Sequence, residues 1–112
     1  MAGWYELNKS KDGKFNFVLK AANDQVILRS ELYESKVSAQ NGIASVQANS
    51  PKDDLFERKD PTNGRTFFNL KAGNRQVNGT SQMYSSPAAR DQGIASVKVN
   101  GITPTVKDNT NI

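Results

Sequence analysis

The sequence contains no cysteine and no histidine. The first absence excludes disulfide scaffolds and thiol nucleophiles. Together they exclude the usual zinc ligand sets, Ser-His-Asp triads and every imidazole acid or base. The chemistry left is that of carboxylates, lysine, tyrosine and hydroxyls. Long apolar runs are missing as well: Val26-Ile27-Leu28 is among the longest and falls far short of the roughly 20 residues that cross a bilayer. Met1-Ala2-Gly3-Trp4-Tyr5-Glu6 has no charged stretch leading into an apolar one, so no secretion signal or membrane segment is predicted and the expected location is cytoplasmic. Charge of one sign is not concentrated either. Fifteen Lys+Arg against 11 Asp+Glu leave +4, divided 7 against 5 up to Lys52 and 8 against 6 beyond it, with no basic run to attract a polyanion strongly.

What is present is a chain of 112 residues, 36% hydrophobic, which suits one polar globular domain with a single modest core. Sliding it against itself by 51 residues aligns Gly3–Asn49 with Asp54–Asn100 without a gap, and 18 of the 47 pairs are identical. The matches include Phe17, Leu19, Lys20, Ala21, Asn23, Gln25 and Val26 with Phe68, Leu70, Lys71, Ala72, Asn74, Gln76 and Val77. They also include Gly42-Ile43-Ala44-Ser45-Val46 with Gly93-Ile94-Ala95-Ser96-Val97. This is a tandem duplication: repeat 1 is residues 3–49, repeat 2 is 54–100, and 101–112 is a C-terminal segment with the character of a short strand.

Each unit reads as three strands and a helix. Trp4–Asn8 and alternating Lys14–Lys20 flank the turn Ser10-Lys11-Asp12-Gly13, whose counterpart is Pro61-Thr62-Asn63-Gly64. Ala22-Asn23-Asp24 and Gly73-Asn74-Arg75 turn into third strands, with the asparagines suited to left-handed backbone. Ala39, Ile43 and Val46 then fall on one helix face, with Ser35 and Ser86 as N-caps, Pro87 at the first helical position, and Asn49-Ser50-Pro51 and Asn100-Gly101 as exits, where Asn and Gly tolerate a left-handed cap and Pro51 cannot continue the helix. A unit of about 50 residues buries too little surface alone, so two copies are expected to share one core. The inward set is Tyr5, Leu7, Phe15, Phe17, Leu19, Val26, Leu28, Phe56, Phe68, Leu70 and Val77 against the two helix stripes. Arg90, at the place of Ala39, is expected at the rim, reaching water. The fold class is α+β: two tandem βββα repeats with pseudo-twofold symmetry, an antiparallel sheet and both helices on one face.

The Trp4-Tyr5-Glu6 opening, the Phe-x-Leu-Lys-Ala-x-Asn-x-Gln cores, Ser-x-x-Tyr at Ser30–Tyr33 and Ser81–Tyr84, and Gly-Ile-Ala-Ser-Val together resemble the YegP-like family of small bacterial proteins of uncharacterised function. The resemblance runs from Gly3 to about Asn109. It implies βββα units merging into one sheet, with a C-terminal strand of each half exchanged across the pseudo-dyad. It brings no catalytic residues.

Several residues invite a functional reading. Lys20 and Lys71 would form a symmetric pair for an anion, or simply shield a sheet surface. Asn23 and Asn74 read as turn formers, and Tyr33 and Tyr84 as rings over the helix–sheet seam. Gly42 and Gly93 cost about 1 kcal/mol each within a helix and imply a close approach by another helix or strand, with a ligand crevice as the alternative. Asp53, Asp54 and Asp60 lack a calcium-loop pattern, so no metal is expected. Alternation places Trp4, Val18, Ile27, Leu55 and Phe67 on the outer sheet face beside Lys20, Arg29 and Lys71. From these the ligand-binding residues are taken as Trp4, Lys20, Phe67 and Lys71. The expected protein is a monomer without cofactor and not an enzyme, Glu6 and Glu57 being where a raised carboxyl pKa would contradict that. It would be a non-catalytic binding or stress-associated module working through a protein or small-ligand partner. Weak single-stranded nucleic-acid binding on the outer face is the alternative.

Overall fold

The computed structural model describes residues 3–61 and 65–110; the last three residues of the turn expected at Pro61-Thr62-Asn63-Gly64 lie outside them. Along the chain come β1 (Trp4–Lys9), β2 (Phe15–Lys20), β3 (Val26–Arg29), α1 (Lys36–Asn49), a 3₁₀ turn (Asp53–Leu55), β4 (Phe56–Lys59), β5 (Phe67–Lys71), β6 (Val77–Thr80), α2 (Pro87–Asn100) and β7 (Val106–Asp108). The described strands form one sheet in the order β4-β5-β6-β3-β2-β1-β7, which carries the duplication in its arrangement: reversing the first six exchanges the repeats. All neighbours are antiparallel except β7, which runs parallel to β1 with Tyr5 opposite Val106 and Leu7 opposite Asp108. The second half thus hands its C-terminal strand to the first. On the other side, the chain leaving α1 becomes β4 itself.

Local chemistry accounts for the elements. Gly13 takes φ +85° in the first hairpin, a conformation that disfavours any side chain. At the second turns the left-handed residues are Asp24 and Arg75, both at φ 71°, not the asparagines before them. Asn23 and Asn74 instead accept from the Gln25 and Gln76 amides at 3.2 and 3.1 Å, closing Asx turns. Ser35 and Ser86 cap the helices by accepting from the Ser38 and Ala89 amides, each at 3.1 Å. The exits differ from the sequence expectation: Ser50 and Gly101 keep right-handed backbone. Asn49 and Asn100 reach back to the Ser45 and Ser96 carbonyls, both at 2.8 Å.

The alternation breaks at one point in each repeat. Leu19 pairs with Leu28 but Lys20 with Val26, and Leu70 pairs with Gly79 but Lys71 with Val77, so Ile27 and Asn78 are extra residues in bulges. A bulge moves parity by one. Ile27, expected outside, is 6% exposed and in the core, whereas Val26 is only half-buried and Val77 is exposed. Leu55 is also buried, because it ends a 3₁₀ turn and not a strand. Val18 keeps its outward parity yet is covered. The duplicated serines explain how the chain leaves the bulged strand. Ser30 Oγ accepts from the Phe17 amide at 2.8 Å and donates to the Glu31 carbonyl at 2.8 Å, and Ser81 does the same with Phe68 and Gln82 at 3.0 and 2.8 Å.

One apolar cluster joins Tyr5, Leu7, Phe17, Leu19, Leu28, Phe56, Phe68 and Leu70 to Ala39, Ile43 and Val46 of α1 and Ile94 and Val97 of α2. Helix packing spans both repeats: α1 lies on β1 and β2 and also touches β5 and β6, while α2 lies on β5 and also touches β2 and β3. Arg90 does not reach water as expected: it is 8% exposed, and its guanidinium donates to Asp60 at 3.1 Å and Thr66 Oγ1 at 2.9 Å. Gly42 and Gly93 admit neither a helix nor a strand backbone but the Tyr33 and Tyr84 rings. A Cβ there would stand 2.5 and 2.2 Å from the phenolic oxygens. At the centre of the sheet, β3 and β6 meet through Arg29 opposite Thr80, two positions 51 apart and therefore equivalent.

Candidate ligand-binding site

The outer face is a network of ion pairs repeated in both halves. On β1, Trp4 Nε1 donates to Glu6 at 2.9 Å, and Glu6 also holds Lys20 Nζ at 3.3 Å. Lys20 in turn reaches Asp24 at 2.9 Å. In the second half Glu57 accepts from Lys71 at 3.0 Å and from Asn69 at 3.2 Å. The Trp4 hydrogen bond, followed by Lys20, holds the Glu6 carboxyl below its ordinary range; Lys71 and then Asn69 pull Glu57 down to about 2. Both carboxyls are thus shifted away from the raised values that proton transfer at neutral pH needs.

The four residues singled out from sequence do not converge. Trp4 and Lys20 are register partners, but Lys71 lies in the other half, and the antiparallel order puts it at the opposite end of the sheet. Phe67, half-buried at the start of β5, is four strand positions from β1, about 19 Å at the usual spacing of strands. Asp53, Asp54 and Asp60 do not gather either: Asp53 binds Lys98 at 2.6 Å and Asp60 binds Arg90. Among the described residues no three carboxylates gather.

Of the four, Trp4 alone borders a cleft of about 610 Å³, with Gly3, Ala22, Thr103, Pro104, Thr105 and Lys107 as the remaining walls. Its walls are fixed from several directions. Gly3 donates to Asn100 Oδ1 at 2.8 Å and cannot carry a side chain, because a Cβ would stand 1.8 Å from the Lys20 carbonyl oxygen. Gln47 Nε2 donates to the Thr103 carbonyl at 2.8 Å, and Tyr5 donates its amide to Thr105 at 2.9 Å and its hydroxyl to Gly101 at 2.6 Å. Lys107 Nζ sits 4.3 Å from the Trp4 ring centroid. The cleft offers an indole, a proline ring and one cation, which suits a flat apolar ligand bearing a negative charge. Thr103, Pro104 and Lys107 were not singled out from sequence. They matter only because β7 returns to β1 about 100 residues later, and nothing local announces that pairing.

A model of a domain of unknown function, DUF1508, matches residues 10–57 and 62–108. In this framing each unit begins ahead of its second strand and ends in the strand after its helix. The UPF0339 protein YegP of Escherichia coli K12 is 59% identical over 110 residues, covering 98% of this chain and 100% of that protein. A UPF0339 protein of Shewanella oneidensis is 58% identical over 110 residues, with 98% and 100% covered. The solution NMR structure of E. coli yegP, described as a protein of unknown function, superposes with a TM-score of 0.94 at 58% identity, covering 100% of this chain and 97% of that one. That of a Shewanella oneidensis UPF0339 protein gives 0.93 at 58%, with 98% and 93% covered.

Proposed function

The chain belongs to the DUF1508 family, which brings no activity with it, and we propose from its geometry that it is a non-catalytic binding module whose ligand sits in the Trp4–Pro104–Lys107 cleft. The observation that carries this reading is the stacked Lys107–Trp4 pair beside a cleft of about 610 Å³. Among the described residues the only titratable side chain lining that cleft is Lys107, so they place no acid–base pair against a bound molecule there. Nucleic acid on the outer face is the weaker reading, since Lys20 and Lys71 already serve Glu6, Asp24 and Glu57 and leave little free charge for phosphates.

Anilinonaphthalene sulfonate, a flat apolar anion, is a direct probe. It should quench Trp4 emission saturably, and Lys107→Ala should weaken its binding about tenfold, the loss of a favourable cation contact worth about 1.4 kcal/mol. Emission that does not respond, or binding indifferent to Lys107→Ala, would sink the proposal.

A further inference from the structure

The duplication provides an internal control on which residues the fold requires. Ile27 and Asn78 occupy the same bulge position in the two repeats, and both are nearly covered, at 6% and 8% exposure. The fold accepts isoleucine there. A buried amide in its place carries a desolvation cost that packing does not require. Asn78 Nδ2 donates to Ser45 Oγ of α1 at 2.7 Å, while its carbonyl oxygen has no partner among the described residues and is not among their fully enclosed orphan atoms. Asn78 borders a groove of about 310 Å³ between α1 and the β5–β6 hairpin, together with Tyr33, Asn41, Gln76 and Glu31.

The repeats differ at 29 of 47 aligned positions yet keep Gln25 with Gln76 and Val26 with Val77. The glutamines are exposed, and neither side chain has a hydrogen-bond partner among the described residues. Gln76 and Val77 border the Asn78 groove, and Gln25 and Val26 border a cleft in the other half. Among the described residues no lysine or arginine lines the Asn78 groove, so none of them would neutralise an anion there. Amides and hydroxyls that each donate and accept match hydroxyl groups that do the same, and Val77 offers an apolar contact for C–H faces.

We propose that the Asn78 groove is a second binding site, independent of the Trp4 cleft, for a neutral polyhydroxylated molecule of the sugar or polyol class. The test is ¹H–¹⁵N NMR titration of the full chain with glucose, maltose and trehalose. Shifts should appear at the Gln76 and Asn78 side-chain amides and at Asn41. Asn78→Ile should fold at least as stably as the parent and bind at least tenfold more weakly, and Gln76→Ala should also weaken binding. Absence of shifts at hundred-millimolar sugar, shifts confined to the Trp4 cleft, or identical shifts in Asn78→Ile would each overturn the assignment. Lys107→Ala should leave this titration unchanged, so failure here is separable from failure of the first site.

Discussion

Two small residues show how tightly side chains are fitted to one another. Tyr84 is pinned by backbone hydrogen bonds to Thr66 at 2.9 and 2.7 Å, and its ring lies nearly parallel to Phe68, so it cannot retreat from a methyl group on Gly93. Alanine there gains about 1 kcal/mol of helix propensity but collides with that ring, and overpacking of this kind costs about 1–3 kcal/mol. Ser50 presents the opposite case. Its buried hydroxyl has no hydrogen-bond partner among the described residues, so Ser50→Ala removes an unsatisfied group worth about 1 kcal/mol or more. Urea midpoints should therefore fall for Gly93→Ala and rise for Ser50→Ala; the same sign for both would refute this account of the packing. The sequence makes the demand at Gly93 legible, since a helical glycine calls for a close neighbour. It does not say that the neighbour is a tyrosine nine residues earlier.

At the level of elements, β7 is the informative strand, because three residues hold it beside β1 through few bonds. Lys36 binds Asp108 at 2.6 Å, and that contact, followed by Thr110, lowers the Asp108 carboxyl to about 2. A folded-state value below the unfolded one, near 4, means the contribution is complete above about pH 4 and is lost as the pH falls toward 2. Lys107 should then leave the Trp4 ring, so Trp4 emission should change across this window. Asp108→Asn should already show the acid-form emission at pH 7, and wild-type emission there would contradict the tether. The strand at 101–112 was legible from composition, but its partner was not. The bulges were equally hidden, since strict alternation puts Val26 inside and only the paired Ser30 and Ser81 hint that the ladder changes course.

For the molecule as a whole, each helix packs on strands of both repeats, α1 on β1 and β2 as well as β5 and β6 and α2 on β5 as well as β2 and β3, so the two repeats share one core. A fragment of residues 1–52 should be unfolded or dimeric, and the intact chain should be monomeric. Sedimentation together with NMR dispersion checks both, and a folded monomeric fragment would contradict the shared core. Duplication and shared core were legible because repetition of a half too small to stand alone leaves few alternatives. The Trp4 cleft was not, because it is assembled from the two ends of the chain.

Where the repeats face each other, equivalent positions meet. Arg29 lies opposite Thr80, Ser50 against Gly101, and Leu28 near Gly79, where a Cβ would come within 2.7 Å of the leucine Cγ. A dimer of identical halves must set every residue on its axis against itself, arginine against arginine and leucine against leucine, with like charges and doubled bulk at the seam. Covalent fusion removes that obligation. Once the halves are one polypeptide, each may mutate without the other, and the seam becomes the one place where large can be matched to small and charged to neutral. The departures from symmetry along this line record the freedom that fusion gave the chain.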